Sequence, residues 1–250
     1  MLENRIALVT GASRGIGAAT ARMLAKHGAA VAVNYRNSAA EAEQVVTDIT
    51  RAGGHAIAVQ ADVRLEGDVE RMVKIVGERL GPVDTLVLNA YIGVPMLPLT
   101  QTSWEHVEAK VTGELKAAFY VVKALAPEML ERKRGCIIAI SSNVAQHPVA
   151  FMGAYSVAKS ALEALMRALA LELGPAGIRV NTVAAGLTIS GDGAQTPDQV
   201  KQMVAAMTPL GRYAQSEDIA GAVLMLAQDE ASFATGNVLT VDGGLRIRLV

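Results

Sequence analysis

The 250-residue chain has one cysteine, one tryptophan, 4% aromatic residues and a net charge of −1, and each shortage closes off a class of function. With Cys136 alone, no intrachain disulfide or cysteine metal cluster can form, and its place in the run Cys136-Ile137-Ile138-Ala139-Ile140 assigns it to packing. His27, His55, His106 and His147 fall in separate segments without metal-ligand spacing, so no metal site is expected. The near-zero charge, with no clustered basic stripe, argues against nucleic acid as a partner. No apolar run approaches the roughly 20 residues that span a bilayer, and Met1 to Arg5 leads into a strand instead of a signal peptide. Neither a membrane nor secretion is therefore expected, and the location is cytoplasmic. Linkers, repeats and low-complexity stretches are also missing. The 51% hydrophobic content supplies one large core, so a single domain over residues 1–250 is expected.

What is present alternates. Apolar strand-like runs at residues 5–10, 30–34, 56–60, 85–89, 136–141, 179–183 and 238–241 are separated by segments with helical spacing at 18–25, 41–51, 68–79, 104–132, 154–173 and 216–226. Gly53-Gly54, Gly81-Pro82 and Gly174-Pro175 mark helix ends. Strand-helix alternation with right-handed crossovers predicts an α/β fold, a doubly wound seven-stranded parallel sheet flanked by helices. Trp104 and Phe119 are expected to pack the long fourth helix.

Two motifs carry chemistry. In the first, Gly11-Ala12-Ser13-Arg14-Gly15-Ile16-Gly17 follows the first strand and opens a helix. Gly11 permits a tight turn, Gly15 lets backbone amides approach a pyrophosphate, and Gly17 allows close helix-sheet packing, with the helix N-terminus favouring an anion. The second is Tyr155-Ser156-Val157-Ala158-Lys159 with Ser142 thirteen residues upstream. A tyrosine four residues before a lysine shares its helix face, so the ammonium favours the ionised phenol and makes it a usable proton donor near neutral pH. Phenol, ammonium and hydroxyl together suit one carbonyl oxygen.

These motifs, with Asp62-Val63, Asn89-Ala90 and Val241-Asp242-Gly243-Gly244, resemble the short-chain dehydrogenase/reductase family along essentially the whole chain, and within it the 3-oxoacyl-[acyl-carrier-protein] reductase-like branch. The resemblance implies a Rossmann-type domain and an NADPH-dependent ketoreductase, commonly a homotetramer. It gives Tyr155 the role of proton donor, Ser142 that of orienting the substrate oxygen, and Lys159 a bond to the nicotinamide ribose. It also implies cofactor contacts from Gly11, Ser13, Arg14, Gly15, Ile16 and Gly17, from Asn34, Tyr35 and Arg36 at the end of the second strand, from Asp62 and Val63 at the adenine, from Asn89 and Ala90 at the ribose, from Gly186, Thr188 and Ser190 near the nicotinamide, and from Tyr155 beside Lys159. The second strand ends Asn34-Tyr35-Arg36 without the acid that NAD-preferring relatives use. With Arg14 and Arg36 available for a 2'-phosphate, NADP(H) is favoured over NAD(H).

The chain also departs from the family pattern. Tyr91 follows Asn89-Ala90 where a glycine is usual, and Glu114 stands where the long helix normally supplies an asparagine to the proton relay. Glu114 is therefore a fourth catalytic candidate that can hold the same water and pair with Lys159, or a structural ion-pair partner. Residues 188–212 are expected to form a substrate lid whose Val200, Met203, Val204 and Met207 meet an apolar substrate. Arg132-Lys133-Arg134 offers a landing patch for an acidic acyl carrier protein, although Ala176 lacks a cation that carrier-protein reductases often have. A small-molecule carbonyl substrate, either a 3-oxoacyl thioester or polyketide-like compound, leads over a free ketone, sugar or secondary alcohol. A dinucleotide-binding regulator without turnover is a third reading.

Overall fold

The computed structural model describes residues 1–189 and 197–248, so the candidate Ser190 and part of the expected lid lie outside the described residues. The strands are β1 (Ile6–Val9), β2 (Ala30–Tyr35), β3 (His55–Gln60), β4 (Thr85–Leu88), β5 (Gly135–Ser142), β6 (Ile178–Ala185), β7 (Thr188–Ile189), β8 (Ala214–Gln215) and β9 (Val238–Val241). Seven of them form one parallel sheet in the order β3-β2-β1-β4-β5-β6-β9, as the sequence predicts, and β7 pairs with β8 apart from it.

Helices α1 (Gly15–Lys26), α2 (Ala39–Arg51), α3 (Glu66–Arg79), α4 (Trp104–Arg132), α5 (Gly153–Leu173) and α7 (Ser216–Ala227) connect the sheet strands, and α6 (Asp198–Met207) lies in the expected lid. They cover both faces of the sheet, which is why its inner strands read as unbroken Val, Ile, Leu and Ala. On one face Met72 of α3, Leu125 and Met129 of α4 and Met166 of α5 pack with Leu86 and Ile137. On the other, Leu24 of α1, Val45 of α2 and Val223 of α7 pack with Val9, Val31 and Ile138. Burying each such large side chain contributes about 1.5–3 kcal/mol. Cys136 is packed in this second layer, and burial pushes its thiol up to about 11.

Trp104 and Phe119 correct the sequence expectation, because they are 69% and 50% exposed on α4. The buried stripe of that helix runs instead through Lys110, Gly113, Glu114, Ala117, Ala118, Val121, Val122, Leu125 and Met129. Among the described residues, no helix is long and apolar enough to cross a membrane.

Strand order places the functional edge. The chain runs outward from β1 to β3 and then returns to lay β4 on the other side of β1. Connections therefore leave the C-terminal ends of β1 and β4 in opposite directions and open a crevice between them, the usual ligand position in such sheets.

Candidate active site

Residues 10–17 cross the crevice first. Gly11 has φ +61°, a left-handed conformation that an L side chain would strain, and Gly15, at φ +58°, begins α1. The backbone there is tied down from below. Gly11 N donates to Asn34 Oδ1 at 3.1 Å, Ala12 N donates to Asn34 O at 2.7 Å, and Asn34 Nδ2 donates to the carbonyls of Val59 and Ala61. Asn34 is 1% exposed, so it shapes the loop from beneath. Asn89 holds the other side, with Nδ2 donating to the carbonyls of Thr10 and Gly11. Thr10, absent from the sequence candidates, accepts at Oγ1 from the backbone amides of Asn89 and Ala90.

The loop fits a dinucleotide pyrophosphate. No side chain caps α1 and no acid lies in its first turn, so its leading amides and the positive end of its dipole are left for an anion. Close packing leaves no room to alter Gly17: a Cβ there would meet Asn89 Nδ2 and lie 2.6 Å from Gly11 O. Gly17→Ala is accordingly expected to cost about 1–3 kcal/mol of stability and to weaken binding of a nicotinamide dinucleotide, checked by thermal unfolding and by fluorescence titration with NADH and NADPH. Unchanged values in both would show that the loop accommodates the methyl.

Past the C-terminal ends of β2 and β3 lie the residues expected to face an adenosine. Arg36 is exposed just past Tyr35, and Asp62 sits 4.0 Å from it. Asp62 is engaged by Arg64, whose guanidinium bonds both carboxylate oxygens, and that bonding holds the Asp62 carboxyl below its usual range. Ser13 and Ile16 are half-buried in the loop, Arg14 is exposed at its tip, and Val63 is packed in the core at 5% exposure. At the opposite side of the crevice, Gly186 lies so close to Asp242 that a Cβ would approach its Cα to 2.8 Å, and Thr188 Oγ1 donates to Gly186 O. Asp242 accepts from the amides of Gly244 and Arg246, which explains the terminal Asp-Gly-Gly run as a turn.

The chemical groups meet where β5 ends against α5. Lys159 Nζ donates to Ile140 O at 2.8 Å, which fastens α5 two residues before Ser142. Ser141 and Ser142 take different roles. Ser141 Oγ donates to the buried carboxylate of Glu163 at 2.8 Å, whereas Ser142 Oγ only accepts a long bond from Val144 N and keeps its proton for another partner. Tyr155, one turn before Lys159, is half-buried, with its ring 6.0 Å from that of Tyr91 in an edge-to-face pair.

Glu114 enters this group directly. One carboxylate oxygen accepts from Lys159 Nζ, and the other accepts from Lys110 Nζ at 2.7 Å. Burial would raise the Glu114 carboxyl, yet the two ammoniums outweigh it and hold it below its usual range. Lys159 is driven down by burial but net upward by Glu114 and the tyrosines, while burial leaves Lys110 below the usual lysine range despite the same carboxylate. Tyr91 is pushed up, first by burial and then by Tyr155 and Glu114. A cavity of about 10 Å³ adjoins Glu114, lined by Thr10, Leu88, Ala90, Ala117, Ala118 and Leu162. That is the lower limit of space for one water.

Lys110 is the principal residue that the sequence reading passed over. Its signal was phase: the apolar stripe of α4, carried one turn back from Gly113 and Glu114, lands on position 110.

The basic run Arg132-Lys133-Arg134 is corrected as a landing patch. It precedes β5, and Ser142 ends that strand, so seven residues at about 3.3 Å each put the two roughly 23 Å apart. Arg132 and Arg134 are moreover engaged with Asp84 at 3.1 and 3.3 Å. The run does not flank this chain's own crevice.

A parallel sheet with a glycine loop at its switch point, and a serine, tyrosine and lysine gathered beside it, defines a dinucleotide-dependent oxidoreductase. The profile of the family described as enoyl-(acyl carrier protein) reductase matches residues 11–246, and the chain belongs to the short-chain dehydrogenase/reductase family. It is 41% identical over 252 residues to an uncharacterized oxidoreductase of Methylorubrum extorquens, covering 98% of this chain and 99% of that one. It is 36% identical over 247 residues to the 3-oxoacyl-[acyl-carrier-protein] reductase FabG of Staphylococcus aureus, covering 98% and 99%. Among solved structures, LugOII, a promiscuous reductase that catalyses keto-reduction at C1 during lugdunomycin biosynthesis, superposes with a TM-score of 0.90 at 35% identity over 98% of both chains.

Proposed function

We propose that the chain is an NADPH-dependent ketoreductase for an apolar carbonyl compound, a 3-oxoacyl thioester or a polyketide-like ketone. The observation that carries this reading is the bond from Lys159 Nζ to Ile140 O, which sets the helix bearing Tyr155 and Lys159 against the strand that ends in Ser142. Bound NADPH would supply the hydride that reduces the carbonyl carbon. Ser142 orients the carbonyl oxygen with its hydroxyl, and Tyr155 gives that oxygen a proton. Lys159, fixed by Ile140 O and Glu114, keeps positive charge beside the phenol as its proton leaves and bonds the cofactor ribose.

NADPH preference is supported by the absence of an acid at the end of β2 and by Arg36 there, with Arg14 at the start of α1. Apolar preference is supported by Tyr91, Met96, Leu99, Phe151, Leu187 and Met203, all exposed on segments that follow β4, β5 and β6 at the same edge. Met203 belongs to α6, which has no buried residue and suits a part of the expected lid. The exposed Trp104 and Phe119 of α4, and Val157 and Leu171 of α5, suit burial in a homotetramer. A cytoplasmic location supplies the NADPH this reading requires.

A second reading, dehydrogenation of a free sugar or secondary alcohol, is favoured by 37% identity over the whole chain to an L-rhamnose 1-dehydrogenase (NAD(P)(+)) of Sphingomonas sp.. Cofactor oxidation followed at 340 nm against acyl thioesters, ring ketones and sugars, with NADPH and NADH in parallel, separates the two. Turnover of the first two classes with NADPH preferred is expected. Turnover confined to sugar oxidation, or preference for NADH, would overturn the proposal.

A further inference from the structure

We propose that Lys110 is a positioning and charge-balancing residue: it neutralises Glu114, so that Lys159, bonded to the same carboxylate, still presents net positive charge to the Tyr155 phenol. The proposal rests on the reading of Tyr155 as the proton donor.

The geometry is specific. The Lys110 side chain is fully buried, and its ammonium bonds Ile92 O at 2.6 Å and Glu114 Oε2 at 2.7 Å. The approach of residue 92 to α4 depends on Gly113, whose missing Cβ would lie 3.3 Å from the Ile92 side chain. Lys110 Nζ also stands 4.4 Å from the centre of the Tyr91 ring and 4.9 Å from that of Tyr155, closer to Tyr155 than Lys159 Nζ at 5.9 Å.

Charge counting supplies the rest. An asparagine at position 114 would leave Lys159 with its full charge. A carboxylate there, alone with Lys159, would form a closed neutral pair and withdraw the field that favours an ionised phenol. With Lys110 on the second oxygen, the Lys110-Glu114-Lys159 group carries one net positive charge. The titratable groups that face the Tyr155 ring are Lys159 on its own helix, Lys110 and Glu114 on α4, and Tyr91 after β4. Lys110, Glu114 and Lys159 are buried, so their charges act strongly on one another, while the two tyrosine rings lie beside them toward the open crevice.

The test compares full-length K110M, E114Q and K110M/E114Q with the parent protein by two readouts. One is the pH profile of kcat for alcohol oxidation. The other is the ultraviolet phenolate absorbance lost on adding Tyr155→Phe to each background, which needs neither cofactor nor substrate. That second readout stands even if the ketoreductase reading fails. K110M is expected to move both midpoints to higher pH, because one positive charge beside the phenol is lost. E114Q should move them to lower pH, and the double variant should fall near the parent. K110R should keep the parent midpoints. A K110M variant that loses rate equally at every pH, with unmoved absorbance, would reduce Lys110 to a packing role and overturn the proposal. So would a double variant that keeps either single shift. Should K110M not fold, the difference between E114Q and the double variant isolates the same charge.

Discussion

Tyr155→Phe is expected to lower kcat for ketone reduction by about 10²–10⁴-fold, the range typical of losing a positioned proton donor. The phenylalanine ring keeps what the tyrosine ring does structurally, namely its edge-to-face pair with Tyr91 and its place beneath the Lys110 ammonium. Only the hydroxyl is lost. Cofactor affinity and the melting temperature should therefore stay close to those of the parent, because the bonds that hold the glycine loop and Lys159 do not use the phenol. Steady-state NADPH oxidation beside cofactor titration checks both halves. Retention of more than about a third of the parent kcat would show that another group delivers the proton, since a donor's contribution begins near a hundredfold.

Glu114→Ala is expected to carry the largest cost in stability, about 3–5 kcal/mol, because it leaves buried ammoniums without their carboxylate. Lys110 and Lys159 have almost no exposed side-chain surface, so water cannot replace the lost partner. The backbone acceptors, Ile92 O for Lys110 and Ile140 O for Lys159, would still bond their ammoniums, and the lysines would then repel across the vacated position. Chemical denaturation of parent and variant at pH 7 measures the difference.

The effect has a defined pH dependence. Because the Glu114 carboxyl is held below its usual range, its contribution is fully present above the ordinary carboxylate pKa and is lost as pH falls through the lowered one. The gap between parent and variant should accordingly narrow in acid. A gap below about 1 kcal/mol at neutral pH would mean that the cluster is solvated like a surface pair.

Much of this architecture was legible in the residues because local signals and tertiary outcome agree. Strands β1 to β6 and β9 announce themselves as short apolar runs, since burial on both faces leaves no polar side to blur them. The bounds of α4 coincide with the predicted 104–132, helped by Ser103, which caps its start, and by Lys133, which turns left-handed at its end. The pairing of Tyr155 with Lys159 was readable for a different reason: they lie one turn apart, so proximity in sequence implied proximity in space.

The sequence reading failed where contact depends on distant elements. Lys110 drew no notice and Glu114 was matched to Lys159 alone, because only the return of residues 91–92 over α4 buries the Lys110 ammonium against that carboxylate. Arg132 and Arg134 read as an open basic patch, yet Asp84, some fifty residues earlier, occupies them. Asn34 read as a ligand contact because it ends β2, whereas the neighbouring strand claims its amide. Trp104 and Phe119 misled in the other direction, since large apolar residues on a long helix imply burial but not within which chain.

The clasp of Asp84 with Arg132 and Arg134 has a wider consequence. It braces the rim where strands begin, joined there by Ile6 N, which donates to the same aspartate. Reactive groups crowd the other rim, a strand's length away. Substitutions at the bracing rim can thus alter how firmly the helices are fixed to the sheet, while the spacing of Ser142, Tyr155 and Lys159 at the other rim is left untouched.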